Sequence, residues 1–88
     1  MTVYVDDLQD YGFTDWRKGE WAHMWSDSIA ELHTVADLIG LDRKYFQNRP
    51  GFPHYDLRPS KRKKLLSMYP ARVREIDIRT WLKEQSGR

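Results

Sequence analysis

The stretch from Ser28 to Leu41 constrains this chain more than any other, because it carries both a start signal and a stop signal for one helix. Ser28 followed by Glu31 fits a capping box, in which the hydroxyl accepts from a backbone N–H of the first turn and the carboxylate reaches back to the cap. Ile29, Leu32, Ala36 and Ile39 recur at helical spacing, and Gly40-Leu41 supplies the left-handed residue and apolar contact of a Schellman-type end. A short helix with one apolar stripe cannot bury that stripe alone, so the rest of the chain must supply a second layer.

Runs rich in β-branched and aromatic residues supply strands. Thr2-Val3-Tyr4-Val5 is extended in character and stops at Asp6-Asp7, and Trp21 to Trp25 stops at Ser26-Asp27-Ser28. Lys44 to Gln47 follows the helix, and the order strand, helix, strand predicts a right-handed crossover between parallel strands. The segment from Gln9 to Glu20, with Gly12, Gly19 and several aromatics, is expected to be irregular. Asn48 to Pro53 holds two prolines and a glycine, which predicts a break before a brief extended His54-Tyr55-Asp56. Pro59 opens a second helix to about Tyr69, with Leu65, Leu66 and Tyr69 inward, and Pro70 closes it. Arg74 to Ile78 alternates as a last strand would; Trp81 and Leu82 then dock a final turn, and residues 83–88 form a frayed tail. The expected fold is a single α/β domain over residues 1–88: a three- to four-stranded sheet, mixed or mostly parallel, with two main helices.

Composition narrows the function classes. Eighty-eight residues allow one core. With no cysteine there is neither a disulfide framework nor a thiolate metal site nor a cysteine nucleophile. The opening lacks the basic and apolar regions of a signal peptide, and no run is long enough to span a bilayer, so a cytoplasmic protein without membrane partners is expected. The net charge of +2 is mild, but its distribution is not: Asp6, Asp7, Asp10, Asp15 and Glu20 make the first quarter acidic, whereas Arg58, Lys61, Arg62, Lys63 and Lys64 crowd one helix start. Cations there oppose the helix dipole by roughly 0.3–1 kcal/mol each, a conflict that a bound anion or pairing with the acidic quarter would relieve.

In open α/β sheets ligands bind beyond the C-terminal strand ends, and here those ends carry polar residues. Asp6 follows the first strand, Asp27 the second and Gln47 the third, while His54, Tyr55, Asp56, Ser60 and Arg62 surround the start of the second helix. Asp6 and Asp7 point to opposite faces, which leaves one of them for a site, and Asp6 is favoured. Ordinary capping accounts for Asp27 and Ser28 taken alone. His23, His33 and His54 with Asp56 could ligate a divalent metal, although no pair has helical ligand spacing. Trp21 and Trp25 share a face and read as core, which leaves Trp16 as the aromatic for stacking on a ligand.

The pattern MTVYVDD, WAHMWSDS, ELH, IGL-x-R, YFQ, HYD and SKR resembles a small phage and bacterial family catalogued as a domain of unknown function, family 4031. The resemblance maps Asp6, His23, Asp27, Glu31, His33, Gln47, His54, Tyr55, Asp56, Ser60 and Arg62 onto family motif positions, and it implies a phage protein acting in the host cytoplasm. Lys63 and Lys64 exceed the pattern and inherit no role from it. Some bacterial members are associated with an attached phosphohydrolase-type domain, which implies phosphorylated ligands.

Three functions fit these residues. The first is a module binding a nucleotide-like or phosphorylated small molecule at the C-terminal sheet edge through Asp6, His23, Asp27, Gln47, His54, Tyr55, Asp56, Ser60 and Arg62. The second is a metal-dependent phosphoester hydrolase or nuclease, with His54, Asp56 and Asp27 as catalytic candidates and Asp6 as a further ligand. The third is a phage effector that binds a host protein through an exposed aromatic or basic surface. Nucleic-acid binding by stacking is a variant of the first.

Overall fold

The computed structural model describes residues 2–87. Its elements are β1 (Val3–Val5), β2 (Gln9–Asp10), β3 (Glu20–Ser26), α1 (Ile29–Leu38), a 3₁₀ turn (Arg43–Tyr45), β4 (Phe46–Arg49), β5 (Phe52–Leu57), α2 (Pro59–Met68), β6 (Val73–Glu75) and α3 (Ile78–Ser86). The sheet runs β4-β5-β3-β1-β6, and β2 also pairs with β3. This is an α/β fold with a mixed sheet, but with six strands and three helices it is richer than the three to four strands and two main helices expected from sequence.

Among the described residues only the β1–β6 pair is parallel. The expected crossover exists in direction but not in pairing: β3 and β4 run the same way, yet β5 lies between them, antiparallel to both. The reason is a hairpin hidden in the Pro- and Gly-rich stretch. Pro50-Gly51 is a two-residue turn, with Gly51 at φ +79°, and it pairs Arg49 with Phe52. Pro53 is tolerated because β5 meets β3 only over Tyr55–Leu57, so its missing N–H breaks no bond there.

The helix ends behave as physics suggests at α1. Ser28 Oγ accepts from Glu31 N–H at 3.3 Å, while Gly40 at φ +75° lets Leu41 N–H reach the Ala36 carbonyl at 2.8 Å. The reciprocal half of the capping box is missing: the Ser28 N–H is taken by Ser26 Oγ, and Glu31 Oε1 is buried with no hydrogen-bond partner among the described residues. At the other end of the chain, Asp77 caps α3 by accepting from Thr80 N–H, so Ile78 opens a helix rather than closing a strand. Lys83–Ser86 accordingly belong to α3 instead of a frayed tail, and Arg88 lies outside the described residues.

Alternation along the strands sorts side chains onto two sheet faces. Val3, Val5, Ala22, Met24, Tyr55 and Leu57 are fully buried and join Leu32, Val35, Ala36, Ile39 and Leu65 of α1 and α2 in the core. The opposite face carries Trp21, His23 and Trp25 from β3 with Phe52, His54 and Asp56 from β5. One end of it is closed by α3, whose Trp81 ring packs 5.8 Å from both Tyr4 and Trp25. The rest of that face is the candidate site. No helix among the described residues is long and apolar enough to cross a membrane.

Candidate functional site

Because the strands mostly alternate in direction, the sheet has no common C-terminal edge, and the polar residues meet on a face instead. His23 and Asp56 are direct partners across the β3–β5 ladder, and Gln47 is the partner of His54 across β4–β5. His54 and Asp56 are two residues apart on one strand and therefore side by side. His54 is almost fully buried, and His23 and Asp56 are half-buried.

A bulge brings Asp6 into this group. Val5 lies opposite Met24 and Gln9 opposite Trp21, so three residues, Asp6, Asp7 and Leu8, span two of β3. Asp6 turns inward and grips His23 twice: Oδ1 accepts the backbone N–H at 2.5 Å and Oδ2 pairs with ring Nδ1 at 2.7 Å. Asp7 faces solvent with its side chain 91% exposed. Arg62 holds the bulge from behind, donating to the Asp6 carbonyl at 2.9 Å and to Glu75 at 2.7 Å.

Hydrogen bonds aim both imidazoles at Asp56. His54 Nδ1 lies 2.9 Å from the Phe52 carbonyl, and its Nε2 is 3.4 Å from Asp56 Oδ1. His23 Nε2 is 3.9 Å from the same oxygen. Asp56 Oδ2 accepts from the Gln47 amide. His23, His54 and Asp56 thus present one ligand atom each, all within 4.8 Å of one another, which is a set able to hold a metal. Burial works against protonation of His23, but the hydrogen bond to Asp6 and the charges of Asp6 and Asp56 outweigh it, and the ring titrates above the ordinary histidine value.

Two of the trio, His23 and Asp56, line a cleft of about 360 Å³ walled by Tyr11, Phe13, Trp16, Trp21 and Tyr45, and the buried His54 lies beneath them. A second lobe of about 330 Å³ shares Trp16, Trp21, Tyr45 and Asp56 and continues to Arg58, Ser60 and Lys61 at the start of α2, where no side chain caps the helix. Arg58 fixes the wall: its guanidinium lies 3.8 Å over the Trp21 ring and donates to the Lys18 and Trp16 carbonyls at 2.6 and 2.7 Å.

Of the residues expected from sequence, the fold brings together Asp6, His23, Gln47, His54 and Asp56, with Ser60 at the far lobe. Others stand elsewhere. Tyr55 points to the core face, where its hydroxyl meets His33 Nδ1 at 2.7 Å, so His33 belongs to the core side. Asp27 accepts from the Tyr4 hydroxyl at 2.9 Å and is not in the His23, His54 and Asp56 cluster found among the described residues. Arg62 supports Asp6 from outside the cleft rather than lining it. The basic run is largely used internally as well, since Lys61 donates to the Ile39 carbonyl at the end of α1. Sequence reasoning missed Tyr11, Phe13 and Tyr45 as cleft walls; for Tyr11 and Phe13 the signal was the aromatic density of the Gln9 to Glu20 segment, which only tertiary contacts assign to one side of the sheet, and Tyr45 stands in the 3₁₀ turn ahead of β4.

The family model for a protein of unknown function, DUF4031, matches residues 3–85. The chain belongs to that family. No curated protein and no solved structure matches it.

Proposed function

We propose that the cleft binds a nucleotide-like ligand, a planar ring carrying phosphate. One observation supports this above all: of the eight exposed large hydrophobic side chains among the described residues, the four aromatic ones, Tyr11, Phe13, Trp16 and Tyr45, all line this cleft. Rings gathered in one place suit a ring-shaped ligand, since stacking contributes about 1–3 kcal/mol per base. The charges agree. Arg17, Lys44, Arg58 and Lys61 border the two lobes against a single carboxylate, Asp56, and Ser60 stands beside them at the start of α2, where Pro59 brings no N–H and the Lys61 and Arg62 N–H groups already donate to the Arg58 carbonyl.

Fluorescence titration with nucleoside monophosphates, the parent nucleosides and simple sugar phosphates tests the reading. The nucleotides are expected to bind more tightly than either fragment class. Trp16→Ala should weaken them about five- to 150-fold, which is the stacking energy expressed as affinity. Equal binding of sugar phosphates and nucleotides, or unchanged binding by Trp16→Ala, would overturn it.

The metal-ligating trio favours a second reading, metal-assisted phosphoester hydrolysis at the cleft floor. Asp27 has no part in it, because its contact is with Tyr4.

A further inference from the structure

The donor and acceptor count at the cleft floor does not balance. A carbonyl oxygen only accepts, so His54 Nδ1, 2.9 Å from the Phe52 carbonyl, must carry the proton, and the neutral ring then has a bare lone pair at Nε2. His23 Nδ1 faces the Asp6 carboxylate at 2.7 Å, which fixes the same tautomer in that ring. Both Nε2 lone pairs point at Asp56 Oδ1, 3.4 and 3.9 Å away. Gln47 provides no remedy, because its amide serves the other oxygen, Oδ2. Three acceptors converge with no side-chain donor between them among the described residues. One proton would bridge one nitrogen–oxygen pair, whereas one cation serves all three atoms.

We propose that His23 Nε2, His54 Nε2 and Asp56 Oδ1 hold a single divalent transition cation of the Zn²⁺ type, with Asp6 as the positioning carboxylate behind His23. Ligand bonds of about 2.0–2.1 Å at tetrahedral angles place neighbouring donors about 3.3 Å apart, so the 3.4 Å pair already fits, the 3.9 Å pair needs a shift of about half an ångström, and the two Nε2 atoms, within 4.8 Å of each other, close by at most about 1.5 Å. Two imidazoles and one carboxylate select a borderline cation over Mg²⁺ or Ca²⁺, which prefer all-oxygen sets. Both histidines donate their other nitrogen to a fixed acceptor, the arrangement that orients metal-bound imidazoles. The ligands stand on paired strands, which hold their geometry better than loops do. Three protein ligands leave the cation open on the side of the cleft, where water or a phosphate oxygen can complete its shell. This inference stands without the nucleotide reading; the hydrolytic reading depends on it.

The test is titration of the chelator-treated protein with Co²⁺, followed by visible absorption, and with Zn²⁺ and Mg²⁺, followed by calorimetry. One equivalent of Co²⁺ should bind with the intense absorption of a four- or five-coordinate ion, Zn²⁺ should displace it, and Mg²⁺ should bind at least 100-fold more weakly than Zn²⁺. Asp56→Asn and His23→Gln keep side-chain size, and circular dichroism checks that they fold; each should lose the one-equivalent site. Asp6→Asn should retain the absorption band with affinity lowered about 10–100-fold, the usual cost of losing such a support. His33→Gln should bind as the parent does. No stoichiometric binding, or equal binding by folded Asp56→Asn, overturns the proposal; Mg²⁺ binding as tightly as Zn²⁺ overturns the choice of cation.

Discussion

The two faces of the sheet are built from the same strands and behave as different materials. On β3 the residues toward α1 are Ala22 and Met24, fully buried and apolar, while those on the other side are Trp21, His23 and Trp25. On β5, Tyr55 and Leu57 face the core, and His54 and Asp56 face the cleft. The first face is closed by two helices, and the Tyr55 hydroxyl there is paired with His33. The second is only partly closed, by α3, and exposes aromatic rings and converging acceptors. The contrast teaches that a small domain can place stability on one side of a pleat and leave the other free for chemistry, because alternation keeps the two sets of side chains apart.

That division can be broken from the core side with the largest effect. Leu32→Ala, fully buried in α1, should cost about 2–5 kcal/mol in urea unfolding while leaving one-equivalent metal binding intact in the protein that remains folded. A loss of metal binding in that folded fraction would show that the faces are not independent. Asp77→Ala tests the lid over the second face: removing the α3 cap should cost about 0.5–2 kcal/mol by the same assay. Trp16→Ala should change stability by less than about 0.5 kcal/mol, since the side chain is 73% exposed, yet it should weaken ring binding strongly. An unfolding cost above that would make Trp16 structural.

A pH series sharpens the comparison further. The folded-state pKa of His23 is raised, so its pairing with Asp6 contributes stability that is fully present below the unfolded histidine value and is lost as pH rises through the folded one. The core-side His33 is lowered, by burial first and by the Arg43 charge second, and so has the opposite sign: its contribution is lost as pH falls. Relative to the metal-free parent, His23→Gln should therefore be most destabilised at mildly acidic pH and His33→Gln least so. Equal pH profiles for the two variants would contradict the assignment of the histidines to different environments.

Local signals were legible where a residue's role is set by its neighbours in sequence. Ser28 and Gly40-Leu41 marked the ends of α1 correctly, and Pro59 opened α2. The β4–β5 hairpin looks like a break in the sequence because Pro50, Gly51 and Pro53 all disfavour regular structure locally, whereas the strand pairing that accommodates them is a tertiary matter. The alternation of Arg74 to Ile78 places Asp77 inside a strand by pattern; its capping of Thr80 overrides that pattern. At the site, the polar residues themselves were visible, but their meeting place was not. A sheet of mainly parallel strands would gather them at an edge; the antiparallel β1–β3–β5 set gathers Asp6, His23, His54 and Asp56 on a face and leaves Asp27, Tyr55 and Arg62 out.

Long-range ¹H–¹⁵N correlation spectra of the histidine rings report on both faces at once, because the chain has three histidines and the two faces divide them. At a pH where the rings are neutral, His23 and His54 should both appear as Nδ1–H tautomers with bare Nε2, and Zn²⁺ should move those two Nε2 resonances while leaving His33 in place. An Nε2–H tautomer at His54, or a zinc response at His33 in place of the other two, would contradict the account.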